Sequence, residues 1–177
     1  MTNLEALDRA IRRIPGFPKP GVLFYDITGV LIAPRVFSFC VREMAKTCKA
    51  AGADAVAGVE ARGFVFAGAI AAKLGVPLIL VRKKGKLPGR TLSKKYALEY
   101  GVEEIEVHRA DIREGARVML VDDLIATGGT LTAARSLIED AGGTVAGFLG
   151  VIGLPFLHYE EALKPTPVVT LINFDSE

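Results

Sequence analysis

The chain is poor in the residue patterns that mark metal proteins, membrane proteins and secreted proteins. It has two cysteines and two histidines in 177 residues. Cys40 and Cys48 have neither metal-ligand nor redox spacing. Eight positions apart on a helix they share a face, so they read as buried thiols in a reducing cytosol. His108 and His158 stand alone, with no partner at ligand spacing. No apolar run reaches the roughly 20 residues that a membrane span requires. The amino terminus is polar and charged, which argues against a secretory leader and for a cytoplasmic protein. Lys and Arg total 22 against 20 for Asp and Glu, and a net charge of +2 is too mild to hold nucleic acid by bulk charge. There are no internal repeats and no low-complexity segments. What is present is 50% hydrophobic and 24% charged, near the globular average. That length suits one domain over 1–177, with a sizeable core.

Helices and strands alternate along the chain. Leu4, Leu7, Ile11 and Ile14 recur at helical spacing and predict an amphipathic helix over 3–13, stopped before Pro15. Residues 15–21 hold three prolines and two glycines, an extended connector. Pro34 suits the first turn of a second helix, with Phe37, Cys40, Val41, Met44 and Cys48 on its apolar side. Ala55–Val59, Pro77–Val81, Arg117–Val121, Thr144–Ile152 and Pro167–Ile172 read as strands. Helices fall at about 64–74 and at 130–140, the second ended by Gly142 and Gly143. Continuous apolar strands between helices predict an α/β fold, a parallel sheet covered on both faces. Residues 82–101 break the pattern. They are basic, with Arg82, Lys83, Lys84, Lys86 and Arg90 within nine positions, and show no clear periodicity. Such a stretch inside a compact domain is either an active-site lid or a solvated loop.

The most informative segment is Arg117-Val-Met-Leu-Val-Asp122-Asp123-Leu-Ile-Ala-Thr127-Gly128-Gly129-Thr130. A buried strand runs into two acids, a Gly-rich turn and a helix start. Thr127-Gly128-Gly129-Thr130 lets the backbone come close to an anion. A helix amino terminus favours a phosphate there, with Ala126 at the edge of the turn and the two threonine hydroxyls adding bonds. Asp122 and Asp123 would repel a phosphate, so they face hydroxyls as acceptors. Sugar hydroxyls at one end and a phosphate at the other describe a ribose 5-phosphate. The pattern is neither Gly-x4-Gly-Lys-Ser/Thr nor Gly-x-Gly-x-x-Gly. The bland alternative is a strand–turn–helix junction whose acids cap the helix.

The run Val121–Thr130 resembles the diphosphosugar-binding motif of the type I phosphoribosyltransferases. Further segments are similar, in order and spacing, to the adenine phosphoribosyltransferases over nearly the whole chain. They are Phe17-Pro-Lys-Pro-Gly-Val-Leu-Phe-Tyr-Asp-Ile-Thr28, Glu60-Ala-Arg-Gly-Phe64, Val81-Arg-Lys-Lys-Gly-Lys-Leu-Pro-Gly89 and Tyr96-Ala-Leu-Glu-Tyr-Gly101. The resemblance implies the type I fold: a twisted, mostly parallel sheet, a small hood over the base site from residues 1–33, and a flexible catalytic loop over 82–101. It implies that adenine and 5-phosphoribosyl 1-diphosphate give AMP and diphosphate, in a homodimer that binds neither nucleic acid nor membrane. Mg²⁺ would arrive chelated by substrate, with Asp122 or Asp123 joining through water.

By the same resemblance Glu60, Ala61 and Arg62 form the turn that grips diphosphate, with a non-proline cis peptide expected at Glu60–Ala61. Arg82, Lys83 and Lys86 add cations, some reaching a neighbouring subunit. Arg62 also counts among the catalytic residues. Glu99 is the candidate general acid/base for adenine, and Tyr100 positions the lid or the diphosphate. Phe24 and Leu124 would sandwich the base while main-chain groups of Leu23 and Tyr25 read its edge. The chain departs from the family in two places: Tyr25 stands where many relatives have Arg, and Gly29 where Pro is frequent. For these cations and for Glu99 a solvated surface role is the plainer reading. Two other functions share the fold: transfer to another purine, and a non-catalytic sensor of the sugar diphosphate.

Overall fold

The computed structural model describes residues 2–98 and 101–175. Helix α1 (Asn3–Ala10) begins on a capping box, with Thr2 Oγ1 accepting from the Glu5 amide at 3.2 Å and Glu5 accepting from the Thr2 amide at 2.8 Å. It is shorter than the spacing of its apolar residues predicts. Leu7 and Ile11 are buried, but Ile14 is 40% exposed and lies in β1 (Arg12–Pro15). Pro15 disfavours helical geometry at Ile14. The strand finds a partner in β2 (Leu23–Asp26), with Ile14 opposite Phe24. The proline-rich connector is therefore the turn of an antiparallel ribbon, with a cis Phe17–Pro18 bond.

After α2 (Thr28–Leu31) comes α3 (Pro34–Ala50), which opens on Pro34 and buries Cys40, Val41, Met44, Ala45 and Cys48. Burial pushes the Cys40 thiol up to about 12 and the Cys48 thiol up to about 11, so both behave as small apolar groups. Then follow β3 (Ala55–Val59), α4 (Gly63–Leu74), β4 (Leu78–Lys83), β5 (Leu92–Leu98) and β6 (Gly101–Val107). The chain finishes with β7 (Arg117–Ile125), α5 (Gly129–Asp140), β8 (Thr144–Gly153), α6 (Tyr159–Leu163) and β9 (Val168–Asn173).

Among the described residues, β1 and β2 pair alone, and the other strands form a seven-stranded sheet in the order β5-β6-β4-β3-β7-β8-β9. The five strands from β4 to β9 in that order run parallel. Both faces are covered, which is why these strands read as unbroken apolar runs. Val56, Met119, Val121, Leu149 and Val151 pack with Met44, Phe66 and Ile70 of α3 and α4. Ala57, Val118, Leu120 and Phe148 pack with Leu131, Ala134, Leu137 and Ile138 of α5. In the stretch 82–101, expected as a loop without periodicity, residues 82–83, 92–98 and 101 belong to strands, and 84–91 form a turn between them. β4 continues through Lys83, while β5 and β6 build an antiparallel arm on its flank. An edge strand with one paired side tolerates the exposed Lys94 and Lys95, so β5 carries no core alternation to read.

From β3 the chain turns to one side for β4 and later comes back on the other side at β7, with α4 and α5 on opposite faces. The carboxyl ends of β3 and β7 therefore flank a crevice, the usual ligand site of open α/β sheets.

Candidate active site

Two adjoining hollows occupy that crevice. The larger, about 220 Å³, is walled by Glu60, Ala61 and Arg62 after β3, Lys83 from β4, Tyr96, Glu103 and Ile105 from the arm, and Asp122, Asp123, Leu124 and Thr130. The smaller, about 90 Å³, is formed by Asp122 and the turn from Leu124 to Leu131. Asp122, Leu124 and Thr130 line both. β7 runs four residues past its expected end, so both acids sit on the strand itself.

Close packing brings the first turn of α4 against these acids. A Cβ on Gly63 would lie 2.9 Å from the Val121 carbonyl oxygen and 3.0 Å from Asp122 Oδ1, so only glycine fits without a shift. Arg62, the residue before it, reaches across to Asp123, with Nε 2.6 Å from Oδ2. Asp123 is 4% exposed. Asp122 Oδ1 accepts from the Asp123 amide at 2.8 Å. Burial, and next the neighbouring Asp123 charge, raise the Asp122 pKa well above the usual carboxylate range, against the pull of Arg62. A crowded pair of acids at a cavity floor lowers its energy when a ligand supplies donors or positive charge.

The cradle is a helix start. Gly128, at φ +82°, is the residue before α5, and a Cβ there would also crowd Leu163 at 3.1 Å. A left-handed turn leading into a twelve-residue helix aims amides and the positive end of its dipole at the small hollow. Thr127, Gly128, Gly129, Thr130 and Ala126 all line it.

Of the residues expected at a diphosphate end, Glu60, Ala61, Arg62 and Lys83 line the larger hollow. The Glu60–Ala61 bond is cis. Glu60 turns its carboxylate to Arg82, whose Nη2 lies 3.1 Å from Oε1, and accepts from the Lys83 amide at 3.0 Å. Arg82 also donates to the Lys86 carbonyl at 3.0 Å. Among the predicted cations Arg62 and Lys83 wall the large hollow, whereas Arg82 and Lys86 are not on its wall. Leu124 is on the wall, and Phe24 is not. Phe24 meets Phe17 edge-on at 5.0 Å, and Tyr25 turns away to stack on Phe174 at 4.4 Å. The Tyr25 side chain is thus committed to the core, leaving main-chain atoms for any contact with a base. Gly29 has its own reason: a Cβ would collide with the Ala10 carbonyl at the end of α1. Glu99 and Tyr100 lie outside the described residues.

Three residues escape sequence reasoning. Tyr96 and Glu103 line the large hollow, and Glu106 organises the basic turn that follows β4. Glu106 Oε1 accepts from the Lys86 and Leu87 amides, both at 2.9 Å, and Oε2 from the Thr91 hydroxyl at 2.9 Å, with Lys84 Nζ at 3.2 Å. Strand alternation carries the signal for Glu103, which shares a face with the buried Ile105 and Val107. Among the described residues no cluster of three or more His, Cys, Asp or Glu could hold a metal ion.

Fold and site together define a sugar-phosphate transferase of the phosphoribosyl type, and comparison with known proteins agrees. The phosphoribosyl transferase domain model matches residues 35–159. Adenine phosphoribosyltransferase of Treponema denticola is 59% identical over 98% of this chain and 91% of its own length. The crystal structure of adenine phosphoribosyltransferase from Thermoanaerobacter pseudethanolicus superposes with a TM-score of 0.93 at 43% identity, covering 97% of this chain and 99% of that one. The Saccharomyces cerevisiae enzyme, solved with adenine and an imino-altritol bisphosphate, gives 0.91 at 34% identity, covering 96% and 98%. The chain belongs to the phosphoribosyltransferase family, in its adenine phosphoribosyltransferase branch.

Proposed function

We propose that the chain transfers the phosphoribosyl group of 5-phosphoribosyl 1-diphosphate to adenine, yielding AMP and diphosphate. The observation that carries this reading is the position of Asp122, shared by a cation-walled hollow and a glycine-rich helix start. In this reading the 5-phosphate sits on the turn from Ala126 to Thr130. Asp122 and Asp123 accept from the ribose hydroxyls. Arg62, Lys83 and the Glu60–Ala61 backbone face the diphosphate, while Arg82 holds the Glu60 carboxylate and the Lys86 carbonyl in place. Breaking the bond from C1′ to oxygen builds positive charge on the sugar and negative charge on the departing group. Fixed cations and amides stabilise that separation best where water is excluded. The arm of β5 and β6 supplies the cover, since Ala97 and Tyr96 already approach Gly129 to within 3.8 Å of a Cβ placed there.

Adenine would lie against Leu124, with Phe24 closing from the hood in residues 1–33 and main-chain groups of Leu23 and Tyr25 at its edge. Glu99 remains the proposed general acid/base, a role typically worth about 10²–10⁴-fold, with Tyr100 beside it. The donor set suits Mg²⁺, which typically binds through one or two carboxylates plus substrate phosphates. Asp122 or Asp123 would hold it through water. The ion would supply positive charge to the diphosphate. We place the protein in the cytoplasm as a homodimer, on the strength of the resemblance.

Turnover with adenine, hypoxanthine, guanine and xanthine tests the reading. The expected result is AMP formation with adenine and much slower reaction with the rest. Absence of adenine turnover, with another purine accepted, would reassign the substrate.

A further inference from the structure

Three acid–base ties cross or flank the crevice: Arg62 to Asp123, Arg82 to Glu60, and Lys83 to Glu103. The third differs because its acid also accepts from a side-chain hydroxyl. Lys83 Nζ lies 2.9 Å from Glu103 Oε1, and the Tyr96 hydroxyl donates to Glu103 Oε2 at 2.9 Å. Thr130 Oγ1 donates to the Tyr96 oxygen at 3.2 Å. All four side chains line the larger hollow. A continuous chain of hydrogen bonds therefore joins the cation end of the site to the first turn of α5.

We propose that Glu103 is a positioning residue that competes with diphosphate for Lys83, holding the ammonium while the site is empty and reclaiming it as diphosphate leaves. The inference rests on the phosphoribosyl-transfer reading given above. Glu103 is an ionised acid inside a hollow meant for an anion, and its pKa is lowered by Lys83 first and Tyr96 second. Its tie to Lys83 is weak enough to exchange, because the two side chains are 57% and 35% exposed. Thr130 has one hydroxyl proton, which can go to Tyr96 or to a phosphate in the cradle but not to both. Filling the cradle thus loosens the same chain from its far end. The two ends of the sugar diphosphate then act on Glu103 together, and departure of diphosphate restores the tie.

Isothermal titration with magnesium diphosphate, at fixed ionic strength, tests the proposal. Glu103→Gln keeps the shape and an acceptor for Tyr96 while removing the charge. It should bind diphosphate about three- to tenfold tighter, the combined effect of one lost like charge and one released lysine. Diphosphate should inhibit its turnover more strongly by a similar factor. Glu103→Ala carries the same expectation through a different side chain. Glu104→Gln removes the same charge one position away, where the carboxylate bonds Ser93 at 2.6 Å, and should bind diphosphate as the unsubstituted protein does. In a Lys83→Met background, Glu103→Gln should keep only the smaller gain from the lost like charge, and an undiminished gain there overturns the proposal. Equal or weaker diphosphate binding by both Glu103 variants overturns the proposal, as does an equal gain from Glu104→Gln. Failure of the unsubstituted protein to bind diphosphate overturns the reading of the site, and this inference with it.

Discussion

At the scale of single residues, Asp122 shows how a ligand site is held at a cost to the empty protein. Burial and the adjacent Asp123 disfavour its charge, and the missing side chain of Gly63 leaves it the space it occupies. A carboxyl with a raised folded pKa contributes stability below its unfolded pKa, and that contribution is lost as pH rises through the folded value. Asp122→Asn removes the charge and keeps the shape. It should therefore stabilise the empty protein at neutral pH, by about 3 °C in Tm if about 1 kcal/mol is recovered. The advantage should fade toward pH 4, where the native acid is protonated. Phosphoribosyl transfer should fall by about 10²-fold, since a misplaced sugar loses its alignment. Thermal unfolding between pH 4 and 8, paired with a turnover assay, checks both halves. A destabilised, fully active Asn variant would contradict them.

At the scale of elements, the arm of β5 and β6 is where sequence and structure part most. Its neighbours were legible because both faces of a parallel sheet are covered, so Ala55–Val59 and Arg117–Val121 are unbroken apolar runs flanked by helical periodicity. The arm sits at the sheet edge, with lysines on β5 and acids on β6, and its ladder is held by backbone bonds that leave no apolar signature. Glu106 was invisible for a similar reason. It looks like one more surface acid, yet it is 1% exposed and gathers the 84–91 turn around itself. Burial pushes its pKa up, but the Leu87 amide, the Thr91 hydroxyl, Lys84 and the Lys86 amide outweigh that and bring it from 4.5 down to about 2. A depressed carboxylate stabilises the fold above its unfolded pKa, and the effect is lost as pH falls from about 4.5 through about 2. Glu106→Ala leaves the amides of Lys86 and Leu87 without their acceptor and should lower stability by about 3 kcal/mol at pH 7. Urea unfolding at pH 7 and pH 3 checks this. The gap between variant and parent should narrow at the lower pH, and a constant gap would count against the ionised acid as the cause.

At the scale of the whole molecule, topology explains why so much of the site could be read in advance. Strand order reverses between β3 and β7; the turn after β3 carries Glu60-Ala-Arg, and the carboxyl end of β7 itself carries Asp122 and Asp123. Residues 61 positions apart meet because the sheet places those strands side by side, with Arg62 Nε 2.6 Å from Asp123 Oδ2. Local motifs announced the glycine turn that opens α5, since Gly128 needs its left-handed conformation wherever the chain goes next. What could not be read locally is pairing between distant elements. Arg82 turns to Glu60, Lys83 to Glu103, and Tyr25 to Phe174 near the carboxyl terminus, each a choice made by tertiary packing. Sequence alone therefore names the residues of the site more readily than it tells which are on its wall.

The central claim is that one crevice holds both ends of the nucleotide product. A crystal structure with AMP bound tests it most directly. The account predicts the 5′-phosphate on the amides of residues 126–130, the ribose hydroxyls against Asp122 and Asp123, and the base beside Leu124. AMP bound outside this crevice, or with its phosphate away from the first turn of α5, would contradict it.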